Sequence, residues 1–245
     1  MRDPTLAETL PAAGPVREGS RAQAVIPRAT YRLQLHKGFD FDAARSVLPY
    51  LERLGISHVY CSPITRARPG SRHGYDVVDH GQINPELGGE EGFLRFAAAV
   101  RARGMGLLLD QVPNHMGVFG ADNAWWMDVL EHGPASERAA AFDIDWNPPN
   151  PALAGKLLVP VLGAPYGDVL DAGEIRLVLE PATGHLVLRY HEHRFPLDPR
   201  TYGQVLGQVT ALAEGGGPAR LEALTQGFAA LPPRDTPDPA ARAAR

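Results

Sequence analysis

One short stretch constrains the fold of this chain more than any other. Residues 105–109 form an apolar run typical of a buried parallel strand, and the polar run Asp110-Gln111-Val112-Pro113-Asn114-His115 follows at once. A carboxylate, an amide and an imidazole at the end of such a strand are typical of the carboxyl edge of a β/α sheet, where barrel enzymes build their active sites. A second polar segment, residues 71–79, follows another predicted strand. Together the two segments indicate part of one binding site.

The chain up to His115 alternates between strand and helix patterns. Gly55 and Gly104 are placed to end two helices, and Asp40 or Asp42 is placed to cap the first of them. The pattern predicts strands at 30–35, 56–61 and 106–112, helices at 41–54 and 90–103, and a long polar loop at 65–89.

The pattern changes after His115, where short apolar pieces mix with Pro and Asn. Strands of a different, antiparallel element are predicted at 156–161, 174–179 and 185–190, with a hairpin turn at Ala182-Thr183-Gly184. Helices are predicted at 200–213 and 219–230. The Gly-rich run between them is a connector and not a phosphate loop, because no Gly-Lys-Ser/Thr follows it.

The composition excludes some classes of function. The 245 residues carry a formal net charge of −4, so the chain lacks the basic surface typical of nucleic-acid binding. Residues 1–24 contain no apolar run of the kind that a signal peptide needs, and no segment is apolar over the length of a membrane span. The single cysteine, Cys61, cannot form an internal disulfide and is expected to be a small buried side chain. We expect a cytoplasmic protein whose partners include neither a membrane nor nucleic acid.

The two polar segments resemble those of the α-amylase superfamily. Asp110-Gln111-Val112-Pro113-Asn114-His115 is similar to the superfamily's first signature region, and His73-Gly74-Tyr75-Asp76 to the loop that lines its innermost sugar subsite. The resemblance implies an α/β fold: an incomplete (β/α)8 TIM barrel, made of the first three βα units, with an inserted mixed α/β domain B after strand 3. We therefore expect four regions: a flexible tail (1–24), the first part of the catalytic barrel (25–116), a domain B-like insertion (117–200) and a helical segment (201–245).

Four further stretches narrow the resemblance to the maltooligosyl trehalose synthase family. They are RATYRLQL at 28–35, WWMDVLE at 125–131, FDIDW at 142–146 and YHEHRFPL at 190–197. The family implies an isomerase that converts the reducing-end α-1,4 link of a maltooligosaccharide into an α,α-1,1 link by intramolecular transfer. The implied substrate is a maltooligosaccharide or α-1,4-glucan, no cofactor is implied, and the implied pathway partner is a maltooligosyl trehalose hydrolase.

The catalytic carboxylates of the family have no counterpart in this sequence. In relatives the nucleophile lies in a Gly-x-Arg-x-Asp motif on the fourth barrel strand, the acid is a Glu on the fifth, and a third carboxylate follows His-Asp near the seventh. The retaining pair must stand about 5–5.5 Å apart across the scissile bond, so acidity alone does not assign it to Asp76 and Asp110. Asp238 and Pro239 signal a helix start close to the last residue. We expect a truncated chain that has no catalytic residues of its own and does not turn over substrate.

Five residues are predicted to bind substrate. Tyr75 offers an aromatic face for a pyranose ring and a hydroxyl for a hydrogen bond. Asp76 binds sugar hydroxyls or pairs with an Arg from later in the chain, and Asp110 holds a neighbouring Arg or the His115 loop. By the resemblance, His115 donates a hydrogen bond to a sugar hydroxyl. Asn114 lies beside it; this residue ligates calcium in many amylases, but too few further oxygen ligands are evident here, so no metal is predicted.

Two other features have alternative explanations. Trp125 and Trp126 form a sugar platform or pack in the interior, and we predict packing. A strand through His191-Glu192-His193 would place two imidazoles on one face, which is compatible with zinc, yet no third ligand is evident. The alternatives to a synthase are another α-amylase superfamily hydrolase or transglucosylase, and a non-catalytic α-glucan-binding remnant.

Overall fold

The computed structural model describes residues 26–212, 217–234 and 236. The predicted tail at 1–24, the helix start at Asp238 and the Gly215-Gly216 part of the predicted connector lie outside these residues. In chain order, the helices and strands are β1 Thr30–Leu33, α1 Phe41–Arg53, β2 His58–Cys61, β3 Thr65–Ala67, β4 Val77–Ile83, α2 Gly89–Ala102, β5 Gly106–Leu109, α3 Ala124–His132, α4 Tyr166–Asp171, β6 Arg176–Glu180, β7 His185–Tyr190, β8 His193–Pro196, α5 Tyr202–Leu212 and α6 Gly217–Ala229.

Three strands form a parallel sheet in the order β1-β2-β5. Thr30 of β1 is aligned with His58 of β2, and His58 is aligned with Gly106 of β5. Gly106 makes room for its neighbour, since a Cβ at this position would lie 2.3 Å from the His58 ring. The predicted strands at 30–35, 56–61 and 106–112 are confirmed in place, each somewhat shorter than predicted.

The two helices between these strands begin and end where the sequence predicts. Asp40, and not Asp42, caps α1, because its carboxylate accepts a hydrogen bond of 2.9 Å from the Ala43 backbone N–H. Gly55 follows α1 and Gly104 follows α2, both in the left-handed region, with φ of +81° and +69°. The helices therefore stop in time for the next strand to join the sheet.

The core lies between the sheet and these two helices. Leu33, Val59 and Cys61 are buried on the sheet face that α1 and α2 cover. Burial of this kind stabilises a fold by about 1.5–3 kcal/mol for each large apolar side chain. Cys61 is the buried small side chain that the sequence predicts, and burial raises the pKa of its thiol to about 12. Arg32 and Tyr60 belong to the opposite face, because side chains alternate along a strand.

The segment predicted as a polar loop at 65–89 contains a hairpin instead. β3 and β4 pair antiparallel, with register shifts on both sides of Arg66. The Arg68 backbone N–H donates to the Asp76 carbonyl at 3.1 Å, so residues 68–76 form a closed loop at the end of the hairpin. The prediction missed the hairpin because β3 is three residues long and β4 carries Asp79, His80 and Gly81.

The chain after His115 builds a second, antiparallel sheet in the order β6-β7-β8. The predicted strands at 174–179 and 185–190 are confirmed as β6 and β7, and Gly184 in their turn has a φ of +76°. The strand predicted at 156–161 is wrong, since these residues adopt no regular structure and Leu158 is largely exposed. Helix α3, which the sequence analysis did not predict, is capped by Asn123, whose side chain accepts from the Trp126 N–H.

The predicted helices at 200–213 and 219–230 are confirmed as α5 and α6. Tyr202 joins them to the second sheet: its hydroxyl accepts a hydrogen bond of 2.9 Å from the Leu186 N–H, and its ring packs 4.9 Å from that of Phe228. Among the described residues, no helix has the length and apolarity needed to cross a membrane.

Candidate functional site

The site lies at the carboxyl edge of the parallel sheet, where three side chains from distant parts of the chain meet. Arg32 of β1 donates to the Asp110 carboxylate at 3.1 Å and to the Tyr75 hydroxyl at 2.8 Å. The Tyr75 hydroxyl in turn donates to the same Asp110 oxygen at 2.5 Å. We refer to Arg32, Tyr75 and Asp110 as the clamp. The neighbouring Arg expected beside Asp110 is thus Arg32, and the predicted site residues Tyr75 and Asp110 are in contact.

The loop that carries Tyr75 is fixed by its own polar groups. Ser71 donates to Asp76 at 2.5 Å and accepts from the Gly74 N–H at 3.1 Å. Gly74 has a φ of +78° and lies so close to Pro63 that a Cβ would stand 2.7 Å from the Pro63 carbonyl oxygen. The side-chain amide of Gln34, which follows β1 directly, donates to the backbone carbonyls of residues 72 and 73. The sequence His73-Gly74-Tyr75-Asp76 therefore folds into one shape that presents the Tyr75 ring.

Asp76 stands apart from the clamp. Its carboxylate accepts from Ser71 and lies 3.8 Å from the His73 imidazole. Asp79, three residues further along in β4, accepts from the Gly81 N–H at 2.8 Å. In the part of the chain that the structure describes, no Arg side chain pairs with the Asp76 carboxylate, whose contacts lie within its own loop.

His115 supports the Tyr75 backbone. Its Nε2 lies 3.0 Å from the Tyr75 carbonyl oxygen, which can only accept. Its Nδ1 lies 3.1 Å from Asn114 Oδ1, which also accepts, so the single N–H of a neutral imidazole serves one of the two oxygens. Both ring nitrogens are engaged within the protein, so a hydrogen bond from His115 to a sugar hydroxyl requires one of these two contacts to break.

The clamp sets the charge of its members. The Tyr75 hydroxyl and the Arg32 guanidinium hold the pKa of Asp110 below its usual range, against the opposite effect of burial. The same hydrogen bond to Asp110 raises the pKa of Tyr75. Asp110 is therefore a carboxylate and Tyr75 a neutral phenol at neutral pH. An ionised carboxylate accepts hydrogen bonds and does not serve as a general acid.

Three residues of the site escaped the sequence analysis. Arg32 and Gln34 lie in the alternating stretch 28–35, and Tyr60 lies beneath the clamp, with the Arg32 guanidinium 4.6 Å above its ring. The available signal was period-two alternation: with the apolar Leu33 facing the core, Arg32 and Gln34 must face the other side of the sheet. Arg32 on that face of the sheet contacts Asp110, which follows the end of β5.

The remaining candidates are structural. Trp126 packs 5.1 Å from the Phe142 ring, and Trp125 is partly exposed with the Arg138 guanidinium 4.7 Å over its ring. His191 and His193 do not share a strand face, because His191 lies in the β7–β8 turn with a φ of +48°. Within residues 26–212, 217–234 and 236, no group of three His, Cys, Asp or Glu side chains is placed to hold a metal ion.

The site combines groups suited to a polyhydroxylated ligand. An ionised carboxylate accepts hydrogen bonds from hydroxyls, and Tyr75, a residue that is 37% exposed, offers an apolar ring face beside it. The His73 ring lies nearly parallel to that of Tyr75, with centroids 6.0 Å apart, and widens the aromatic surface. The arrangement can bind and orient a sugar ring.

Comparisons with known proteins find similarity to an alpha amylase family and to maltooligosyl trehalose synthases. Residues 36–156 match the family described as alpha amylase, catalytic domain. A putative maltooligosyl trehalose synthase of Mycobacterium tuberculosis (strain ATCC 25618 / H37Rv) is 44% identical over 170 residues, which is 64% of this chain and 22% of that protein. The intracellular maltogenic amylase of Bacillus subtilis (strain 168) is 36% identical over 107 residues, which is 44% of this chain and 17% of that enzyme.

Solved structures of maltooligosyl trehalose synthases are also similar to this chain. The maltooligosyltrehalose synthase from Arthrobacter ramosus has a TM-score of 0.61 and 38% identity, covering 80% of this chain and 23% of that one. A hypothetical maltooligosyl trehalose synthase from Sulfolobus tokodaii has a TM-score of 0.60 and 33% identity, covering 82% of this chain and 24% of that one. The chain thus spans less than a quarter of the length of these relatives.

Proposed function

We propose that this chain, whose residues 36–156 match the family described as alpha amylase, catalytic domain, forms the N-terminal part of a maltooligosyl trehalose synthase. The observation that carries the proposal is the clamp, which lies at the carboxyl edge of the parallel sheet within a chain similar to such synthases over most of its length. An aromatic ring and an ionised carboxylate side by side suit a glucose residue at this edge.

The proposed reaction is an intramolecular transfer. The α-1,4 bond of the reducing-end glucose breaks, and the released glucose is held and returns through its own anomeric hydroxyl, which forms the α,α-1,1 bond. Substrate and product have the same atoms, so water is not a reactant. Water must be kept from the intermediate, because it would otherwise hydrolyse it. The product keeps the chain length of the substrate but has no reducing end. An enzyme of the class that hydrolyses maltooligosyl trehalose is the pathway partner we propose.

The finer architecture is part of the same proposal. Strands β1, β2 and β5 are the first three strands of a (β/α)8 barrel over 25–116, residues 117–200 form domain B, and the helices of 201–245 follow. Support comes from the parallel order β1-β2-β5 and from the separate antiparallel sheet after His115. The nucleophile and the acid of the retaining pair are then supplied by barrel strands that these 245 residues do not include.

Five residues are proposed to line the innermost sugar subsite. Tyr75 packs its ring on the sugar, and Asp110 accepts from a sugar hydroxyl. Asp76, Asn114 and His115 surround them, with His115 fixing the backbone of Tyr75 until substrate competes for its imidazole. Support for these roles comes from the contacts among Tyr75, Asp110 and His115.

The test is an assay of the complete product of the gene that encodes these residues, with maltopentaose as substrate. We expect reducing ends to disappear without new glucose, and an Asp110→Asn variant to lower kcat/KM by at least tenfold, as expected for the loss of a charged hydrogen bond. Arg45→Lys is the control, because Arg45 pairs with Asp42 on the outer surface of α1. Steady release of glucose or maltose would instead assign a hydrolase, and no reaction would leave a glucan-binding remnant.

A further inference from the structure

We propose that Arg32 is a positioning residue of the glucan site: it locks the Tyr75 hydroxyl onto Asp110, so that Tyr75 meets the sugar through its ring and not through its hydroxyl. This inference rests on the proposed function and adds to it a positioning residue. It corrects the sequence-based expectation that the Tyr75 hydroxyl is free for a sugar hydrogen bond.

Hydrogen-bond accounting supports the proposal. A phenol has one proton to donate, and in Tyr75 that proton goes to Asp110 at 2.5 Å. The Tyr75 oxygen also accepts from Arg32 at 2.8 Å. The hydroxyl is therefore engaged as a donor and as an acceptor before any ligand arrives. A sugar hydroxyl that competed for it would have to displace a charge-assisted bond.

The shape of the guanidinium explains why the clamp requires Arg. One terminal nitrogen of Arg32 reaches Asp110 and the other reaches Tyr75, and the flat group lies 4.6 Å above the Tyr60 ring. A planar fork makes these three contacts at once, whereas the Lys ammonium is a point charge on a flexible stem. Its position in β1 gives the fork a rigid base, next to Tyr60 in the register of the sheet.

The clamp ties together three distant parts of the chain, in addition to the contacts that Gln34 and His115 make with the same loop. Arg32 and Asp110 are 78 residues apart in sequence, and Arg32 and Tyr75 are 43 apart. Their side chains are only partly buried, with 34% of Arg32 and 18% of Asp110 exposed. The cluster therefore contributes less to core stability than to the direction in which Tyr75 and Asp110 point.

A double-mutant cycle tests the proposal on the 245-residue chain, with maltotriose binding measured by titration calorimetry. We expect Arg32→Lys and Tyr75→Phe each to raise the Kd about tenfold, and the double variant also to raise it about tenfold and not a hundredfold, because both changes break the same clamp. Arg45→Lys, in a surface pair with Asp42, is the matched control and leaves the Kd unchanged. Carbon-13 titration of Asp110 is the second readout, and the Asp110 pKa should rise in Arg32→Lys.

The outcomes separate the inference from the function on which it rests. If the wild-type chain binds no maltotriose, the positioning role is overturned even if the Asp110 pKa rises in Arg32→Lys, whereas the proposed function is decided separately by the maltopentaose assay of the complete gene product. If maltotriose binds and the two losses multiply to about a hundredfold, the sugar contacts the Tyr75 hydroxyl directly and the inference is wrong. If Arg32→Lys does not fold, Arg32→Gln takes its place in the cycle, because a side-chain amide likewise lacks the two-nitrogen fork that holds Tyr75 and Asp110.

Discussion

Gly74 is the residue at which the shape of the polar loop is decided. Its φ of +78° lies in the region that favours glycine, and the Pro63 carbonyl oxygen occupies the space next to it. Gly70, four residues earlier, has a φ of +76° but nothing within 4 Å of a Cβ. The two glycines share a backbone conformation and differ in the space around them.

This pair gives a matched test. Gly70→Ala should lower the free energy of unfolding by about 1 kcal/mol, which is the cost of a left-handed alanine. Gly74→Ala should lower it by about 3 kcal/mol, because the alanine also forces the loop away from Pro63. Urea unfolding measures the free energy of unfolding of both variants, and an m value equal to that of the wild type shows that only stability has changed. Equal losses would show that the close approach to Pro63 does not hold the loop.

At the same scale, the sequence predicted some site residues and missed others for a physical reason. Tyr75, Asp110 and His115 lie in polar runs after strands, where local sequence alone suggests a site. Arg32 lies within a strand, and an Arg on an alternating strand is ordinary surface until its neighbours are known. Its role follows from Asp110, 78 residues away, which no local pattern contains.

Among the elements, the antiparallel sheet depends on one carboxylate. Glu180 at the end of β6 accepts from Arg194 of β8 at 2.7 Å and from Arg189 of β7 at 2.6 Å. The Arg194 guanidinium, followed by that of Arg189, lowers the pKa of Glu180 to about 2 from an ordinary value of 4.5. The charge of Glu180 thus joins all three strands of the sheet.

The lowered pKa gives a pH dependence with a definite sign. Glu180 has a higher pKa in the unfolded chain than in the folded one, so its stabilising effect is complete above about pH 4.5 and is lost as the pH falls towards 2. Glu180→Gln should cost about 2 kcal/mol at pH 7, discounted for partial exposure. The difference in free energy of unfolding between the wild type and Glu180→Gln should decrease steadily from pH 5 to pH 2.

Urea unfolding across that pH range measures the effect. Glu91→Gln is the control, because the Glu91 side chain is 94% exposed and meets Arg95 only at 3.8 Å. It should change stability by less than about 0.5 kcal/mol at every pH. The assigned role would be contradicted if the free energies of unfolding of the wild type and Glu180→Gln differed by the same amount from pH 7 to pH 2.

Strand prediction succeeded where the chain supplies its own partner nearby. β6 and β7 were predicted because a turn with Gly184 joins two apolar stretches, whose side chains then pair across the hairpin. Residues 156–161 carry a similar apolar pattern, but no described strand pairs with them and Pro160 has no N–H for a ladder. Hydrophobic alternation indicates a possible strand, but the segment becomes a strand only where a partner strand pairs with it.

For the whole molecule, the two parts meet next to the candidate site. The Gly120 N–H donates to the His193 imidazole of β8 at 3.4 Å, and Asp122 lies 3.7 Å from Arg68 at the base of the polar loop. The segment after the signature run therefore contacts both the antiparallel sheet and the hairpin that carries Tyr75. The loop that carries Tyr75 is thereby anchored to the segment that leads to the antiparallel sheet.

Binding and turnover should be separable in this molecule. The clamp supplies an ionised acceptor and an aromatic face, but retaining transfer also needs a nucleophile and an acid about 5–5.5 Å apart across the bond. Asp110 is held ionised by Tyr75 and Arg32, which makes it unsuitable as the acid. We expect the 245-residue chain to bind maltopentaose yet leave its reducing ends unchanged over hours, while the complete gene product consumes them. Reducing-sugar assay and calorimetry on matched samples measure both, and turnover by the 245 residues alone would require a catalytic carboxylate pair within them.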